Sequence, residues 1–266
     1  MTINDHGFLG KDFENYKKEI IQKWDELFNF YKEINHFLYK LRSNLRPSQS
    51  DMQKIAIVTL FNKALETFQS IYILCSYGLI NDAESLNRVL FETVVKILYC
   101  SKGEDSYKNY IATDLHNRIK SITIMKNNPK AYSKEIFKEN ILNSKKSELE
   151  TMLKELGEPP PITINVMARK TGMGDIYDSF YHVASETVHT SLRVLEDYIA
   201  IGEKENIKVM WGPRIEGVDI QLFAGIEFML FSCQGLSEIF GKPQGGEINS
   251  LNEKKEGINI KYRERR

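Results

Sequence analysis

The chain has 266 residues, 42% of them hydrophobic, and 36 Lys and Arg stand against 36 Asp and Glu. That length fits one large domain or two small ones, with enough apolar residues for a sizeable core. Zero net charge excludes the whole-molecule field that draws proteins to nucleic acid or anionic lipid, and leaves at most a local basic face.

Residues 12 to 44 place Tyr16, Ile20, Trp24, Leu27, Tyr31, Ile34, Leu38 and Leu41 at helical spacing, predicting one long amphipathic helix ended by Arg46-Pro47-Ser48. Ser50 or Asp51 caps the next predicted helix, which runs to about Tyr77, where Gly78 supplies a left-handed stop. A third helix, capped by Asn81 or Asp82, runs to about Ser101 before Gly103, and the pair forms a tight αα-hairpin. Residues 104–157 read as a polar helical insertion or lid, broken at Asn127-Asn128-Pro129. Residues 158–163 form a Pro-rich linker, since Pro159-Pro160-Pro161 forbids a helix. Asp175 caps a predicted helix to about Ile201. Lys208 to Pro213 reads as a loop with one short strand, and a final helix covers Asp219 to Phe240. Residues 243–266 read as a polar tail in which alternating Ile258, Ile260 and Tyr262 suggest an edge strand or nothing fixed. The expected fold is all-α: a multi-helix bundle, 1–242, around a central antiparallel hairpin, with minor β segments near 205–212 and 257–262.

Cys75, Cys100 and Cys233 sit apart in apolar stretches with no C-x-x-C pair. That pattern argues against a disulfide framework or zinc knuckle and for a reducing compartment. Polar residues open the chain where a signal peptide would need an apolar run. The most apolar stretches, Ile55 to Ile80 and Phe223 to Phe240, carry charges and read as buried helices. A cytoplasmic protein without membrane contact is expected.

Two polar stretches stand out. In the third helix Glu84, Arg88 and Glu92 repeat at i, i+4, i+8 on a helix that is otherwise largely apolar. Charges on a buried helix must find partners. The ladder is therefore either an ion-pair network that fixes register, or an anion site in which Glu92 orients Arg88. Arginine suits phosphate because its planar fork donates two parallel hydrogen bonds. In the second stretch Tyr181, Ser185 and His189 share a helix face. His189 is either a core histidine bonded to a carboxylate or to Ser185, or a general base near neutral pH. Convergence of Arg88, Glu92, Ser185 and His189 into one cluster is the expectation. A di-iron alternative would draw on Glu33-x-x-His36, Glu66, Glu92 and Glu186-x-x-His189, but the element order differs from that of ferritin-like bundles. Neither metal nor cofactor is expected. Phosphate-binding glycine loops and G-x-S-x-G elbows are missing from the sequence.

At Gly78, Asp82, Ala83, Leu86, Arg88, Leu90 and Glu92, followed by Tyr181, Ser185 and His189, the chain resembles a large bacterial family of helical proteins. The likeness spans about residues 50 to 100 and 175 to 240. That family is similar to the HEPN superfamily, helical domains common in toxin–antitoxin and anti-phage systems. Many HEPN members are metal-independent RNases that dimerise to join two Arg-x(4–6)-His motifs. Here only the reverse order, His189-x3-Arg193, occurs.

The resemblance implies a defence or stress effector. As an RNase it would use His189 to take the ribose 2′-hydroxyl proton and Arg88 to stabilise the phosphorane, with Glu92, Ser185 and Tyr181 in support. The alternative is a non-catalytic binding or scaffold module whose motif residues form a buried polar lock. Expected partners are RNA or a nucleotide, a protein of the same operon, and further copies of the chain.

Overall fold

The computed structural model describes residues 7–10, 13–131, 138–189, 191–201, 207–241 and 245–263. Its centre is a hairpin of α3 (Met52–Ser76) and α4 (Ile80–Ser101), into which α11 (Val218–Phe240) packs. Asp51 caps α3 by accepting from the Lys54 N–H at 2.9 Å, satisfying one of the free donors at a helix start. Gly78 turns the chain at φ +69°. A Cβ there would lie 2.8 Å from the backbone of Arg214, so the turn requires glycine for conformation and for space alike. The Arg214 N–H donates to the Gly78 carbonyl at 2.9 Å. The loop before α11 is thereby clamped to the hairpin turn.

The core is the apolar interior of these three helices and of α2 (Asp25–Ser43), with Phe28, Tyr31, Phe61, Phe68, Phe91 and Met229 fully buried. α11 approaches its neighbours closely at two glycines. Gly225 faces the Tyr31 hydroxyl, and Gly235 faces Ser101 on α4. Among the described residues α11 alone has the length and apolarity of a membrane span, and most of it is buried inside the bundle.

Five expectations are revised. The predicted 12–44 helix is two, α1 (Phe13–Lys23) and α2, which meet at Trp24. The start of the third helix needs no side-chain cap: α4 begins at Ile80, and the Asn81 amide bonds the Tyr198 hydroxyl instead. The predicted helix to Ile201 is broken into α8 (Gly174–Ile176), a π-helical turn Tyr177–Tyr181, α9 (His182–Val188) and α10 (Leu192–Glu196). The minor β structure is one antiparallel hairpin of β1 (Ile199–Ile201) and β2 (Ile207–Val209). The tail from 243 is neither strand nor loop in its described part, since α12 (Gly245–Arg263) covers it. Leu251, Lys255, Ile258 and Tyr262 are its buried residues, a spacing of four, three and four that wraps one helical face. Lys255 pairs with Glu227 of α11, and Lys254 with Glu33 of α2.

The polar stretch 104–157 contains α5 (Glu104–Asn127) and α6 (Glu139–Glu155), an antiparallel pair. Ala112, Leu115, Ile122, Leu149 and Leu153 form a small core of their own. Its return is anchored by two bonds. His116 Nε2 lies 3.0 Å from the Pro159 carbonyl. The Ile162 N–H donates to Thr113 Oγ1 at 2.9 Å. α7 (Ile164–Lys170) then packs against α4.

Candidate functional site

α4 carries a different polar partner on each side. Against α11, Asn87 is fully buried and its amide donates to the Gln221 carbonyl and side-chain oxygen, each at 2.9 Å. Against the 174–188 segment stands the predicted ladder. Arg88 Nη2 donates to the Tyr181 hydroxyl at 2.6 Å, and that hydroxyl donates to Glu92 Oε1 at 3.0 Å. Arg88 Nη2 and Glu92 Oε1 are themselves 3.1 Å apart. The guanidinium also lies over the Tyr181 ring, 4.6 Å from its centroid, adding a cation–π contact. One turn away the Thr187 hydroxyl donates to Glu84 Oε2 at 2.7 Å. Glu92 and Arg88 thus meet residue 181 while Glu84 meets residue 187, so the two helices run antiparallel.

Tyr181 is held from below by Phe91, which also contacts Phe180 and Phe228, and from the side by a stacked Tyr177. Burial raises the Tyr181 phenol above its ordinary pKa; the Arg88 hydrogen bond opposes this and the Glu92 charge reinforces it. The phenol stays protonated at neutral pH and serves as both donor and acceptor. Arg88 Nε is buried with no partner among the described residues.

Three sequence candidates therefore converge: Arg88, Glu92 and Tyr181. Ser185 does not join them. Its hydroxyl, half-buried, donates to the Tyr181 carbonyl of its own helix at 2.7 Å. His189 is not brought to the cluster. It is the C-cap of α9, exposed, and its side chain makes no hydrogen bond among the described residues. The reason is geometric. A helix turns ~100° per residue, so a residue eight places on is rotated by roughly 80° and displaced by roughly 12 Å. The face of α9 that meets α4 runs through Tyr181, Ala184 and Thr187 instead.

The di-iron alternative is not assembled. Glu33 pairs with Lys254 and Glu186 with Arg193, and among the described residues no group of three His, Cys, Asp or Glu is placed to hold a metal. All three thiols are free and buried. Burial pushes Cys100 and Cys233 up to about 12, which keeps both protonated and unreactive.

Sequence reasoning missed the cleft beside the cluster. It has a volume near 460 Å³ and lies between α4, α5 and the linker, with Glu92, Lys96, Thr113, Asp114, Asn117 and Ile162 among its walls. Lys96 reaches Glu92 Oε2 at 3.7 Å, so the ladder continues into the cleft. The signal was available in part: Lys96 lies four residues beyond Glu92 and extends the series.

The family follows from comparison with known sequences. A profile described as "Family of unknown function (DUF5677)" matches residues 54–207. The chain belongs to this family. The match takes in α3, α4, the α5–α6 pair, α7 and the 174–188 segment, and so both sides of the ladder and the whole cleft. No curated protein and no solved structure matches the chain.

Proposed function

We propose that the chain is a non-catalytic binding module that recognises a partner protein within a bacterial stress or anti-phage system. One observation carries this reading: Arg88 Nη2, Glu92 and Tyr181 bond one another, while His189 stands apart from them on the surface. A general base has to reach the proton it removes and share a pocket with the group that stabilises the transition state. In this arrangement Arg88 is committed to Tyr181 and Glu92. Its role is to hold the 174–188 segment in register on α4, a use of a partly buried ion pair for packing specificity. The neighbouring cleft supplies the binding surface. Its charges are already paired, Glu92 with Arg88 and Lys96 and Asp114 with Arg118, so it offers phosphate no free cation. With paired charges beside apolar Ile162, Ile164 and Met167, such a wall matches a mixed polar and apolar protein segment better than a nucleic-acid backbone. The defence setting comes from the motif resemblance at Gly78–Glu92 and Tyr181–His189.

Arg88→Ala tests the reading. Thermal melting of the variant should show a destabilised protein, and purified wild-type protein should leave RNA intact. A variant that melts like wild type but abolishes a wild-type RNase activity would overturn the proposal. Loss of such an activity in His189→Ala would do the same. Either result would support the RNase reading, which draws on the exposed imidazole and the unpartnered Arg88 Nε.

A further inference from the structure

The α5–α6 pair changes character along its length. Up to Arg118 each cation of α5 has a carboxylate beside it: Lys108 pairs with Glu104 at 2.8 Å and Arg118 with Asp114 at 2.6 Å. Farther out the balance fails. Residues 118–146 hold eight Lys and Arg against Glu135 and Glu139, in a chain whose basic and acidic totals are equal. Lys145 and Lys146 pair with Glu148 and Glu150. Lys120, Lys126, Lys130 and Lys138 have no ion pair among the described residues. Lys126 reaches only the side-chain oxygen of Asn143, at 2.5 Å. That bond sets the end of α5 beside the start of α6, and Lys130 and Lys138 lie between the two.

One face of α5 joins the cleft to this end. Tyr110, Thr113 and Asn117 are walls of the cleft. Lys120 and Ile124 continue their line in steps of three and four. At ~100° per residue the five positions fall within a stripe about 80° wide and ~21 Å long. Lys120 is exposed and Ile124 retains 47% of its area, so the outer half of the stripe is open.

We infer, on the binding-module reading of the cleft, that the partner segment continues out along this stripe and is acidic where it passes Lys120 toward the lysine-rich end. Charge and shape together select this occupant. Unpaired lysines favour carboxylates or phosphates as neighbours. A bilayer surface is flat and does not follow the stripe into a concave cleft. A nucleic-acid strand that did so would carry its phosphates past Glu92 and Asp114, whose cations are already engaged, and over Ile162, Ile164 and Met167. A polypeptide can change along its length as the stripe does, from mixed polar and apolar residues in the cleft to carboxylates opposite Lys120, with an apolar side chain on Ile124.

The test is selection of peptides from a random display library on the immobilised full chain. Selected peptides are then synthesised and titrated against wild type, against Lys120→Ala with Ile124→Ala, and against Asn117→Trp, which fills the cleft. Lys120 and Asn117 are exposed and Ile124 is half exposed, so both variants should keep the wild-type helical signal and melting temperature. The selected peptides should carry Asp and Glu in excess and bind each variant at least about tenfold more weakly, ~1.4 kcal/mol. Peptides that lose affinity for Asn117→Trp but are neutral or basic, or are indifferent to the double substitution, would overturn the inference and leave the binding-module reading standing. Failure to select any peptide sensitive to Asn117→Trp would overturn both. RNA or anionic vesicles that bind wild type and are released by the double substitution, with no acidic peptide selected, would assign the stripe to another class of partner and overturn the inference as well.

Discussion

Two polar seams run along α4, and they are built on opposite terms. Toward α11 the seam is sealed: Asn87 and Gln221 are buried, Gly225 leaves room for the Tyr31 hydroxyl, and that hydroxyl donates to the Phe68 carbonyl at 2.7 Å. Toward the 174–188 segment the seam is half open, with the Arg88 and Glu92 side chains retaining 20% and 25% of their exposure. The sealed seam uses neutral groups and the open one uses charges. Uncharged groups are cheaper to bury, whereas an ion pair near solvent keeps part of its hydration. The sealed seam therefore fixes the core, and the open seam positions the 174–188 segment over it.

Substitutions can break this contrast. Gly225→Ala should have the largest effect. Its Cβ would lie 2.9 Å from the Tyr31 hydroxyl, and Tyr31 is buried and stacked on Phe68, so it cannot step aside. Overpacking and a lost buried hydrogen bond together cost about 4 kcal/mol, read as a fall in the chemical-denaturation midpoint. Alkali should act next, again on the sealed side. Cys75, Cys100 and Cys233 lie on α3, α4 and α11, and burial raises all three above the ordinary thiol value of 9.0. The unfolded chain loses these protons first, so stability is full below pH 9 and falls as pH rises from there toward the folded values. Over the first unit above 9 the loss is about 1 kcal/mol per thiol, measurable by denaturation at stepped pH.

The open seam should respond less. Arg88→Ala leaves Glu92 and the Tyr181 hydroxyl without their cation, at about 2 kcal/mol after allowance for solvent screening, visible as a melting temperature lower by roughly 4–8 °C. Tyr181→Phe removes only the hydroxyl bridge and should cost about 1 kcal/mol. Were Tyr181→Phe to destabilise as much as Gly225→Ala, the two seams would not differ in kind.

The distinction between the seams also marks how far the sequence could be read. The α3–α4 hairpin was legible because Gly78 punctuates two strongly apolar helices, and the all-α class followed. Arg88, Glu92 and Tyr181 were legible as an i, i+4 ladder and its partner. His189 was misplaced because steps of four drift around a helix, and the face that meets α4 follows 181, 184 and 187. The breaks after Tyr177 were not legible, since a π-helical turn has no composition of its own. α12 was misread because alternating Ile258, Ile260 and Tyr262 drew attention from the wider spacing of Leu251, Lys255, Ile258 and Tyr262. The Asn87–Gln221 bond joins residues 134 positions apart, and no local pattern announces such a pairing.

α11 has one consequence for dissection of the molecule. The family match stops at residue 207, yet the groove of the α3–α4 hairpin is filled by α11, which starts at Val218. The unit recognised in evolution and the unit that folds are therefore of different lengths. A fragment trimmed to 54–207 would present Phe91, Ile97 and their neighbours to water and should aggregate, whereas the same fragment extended through Phe240 regains the helix that closes the groove.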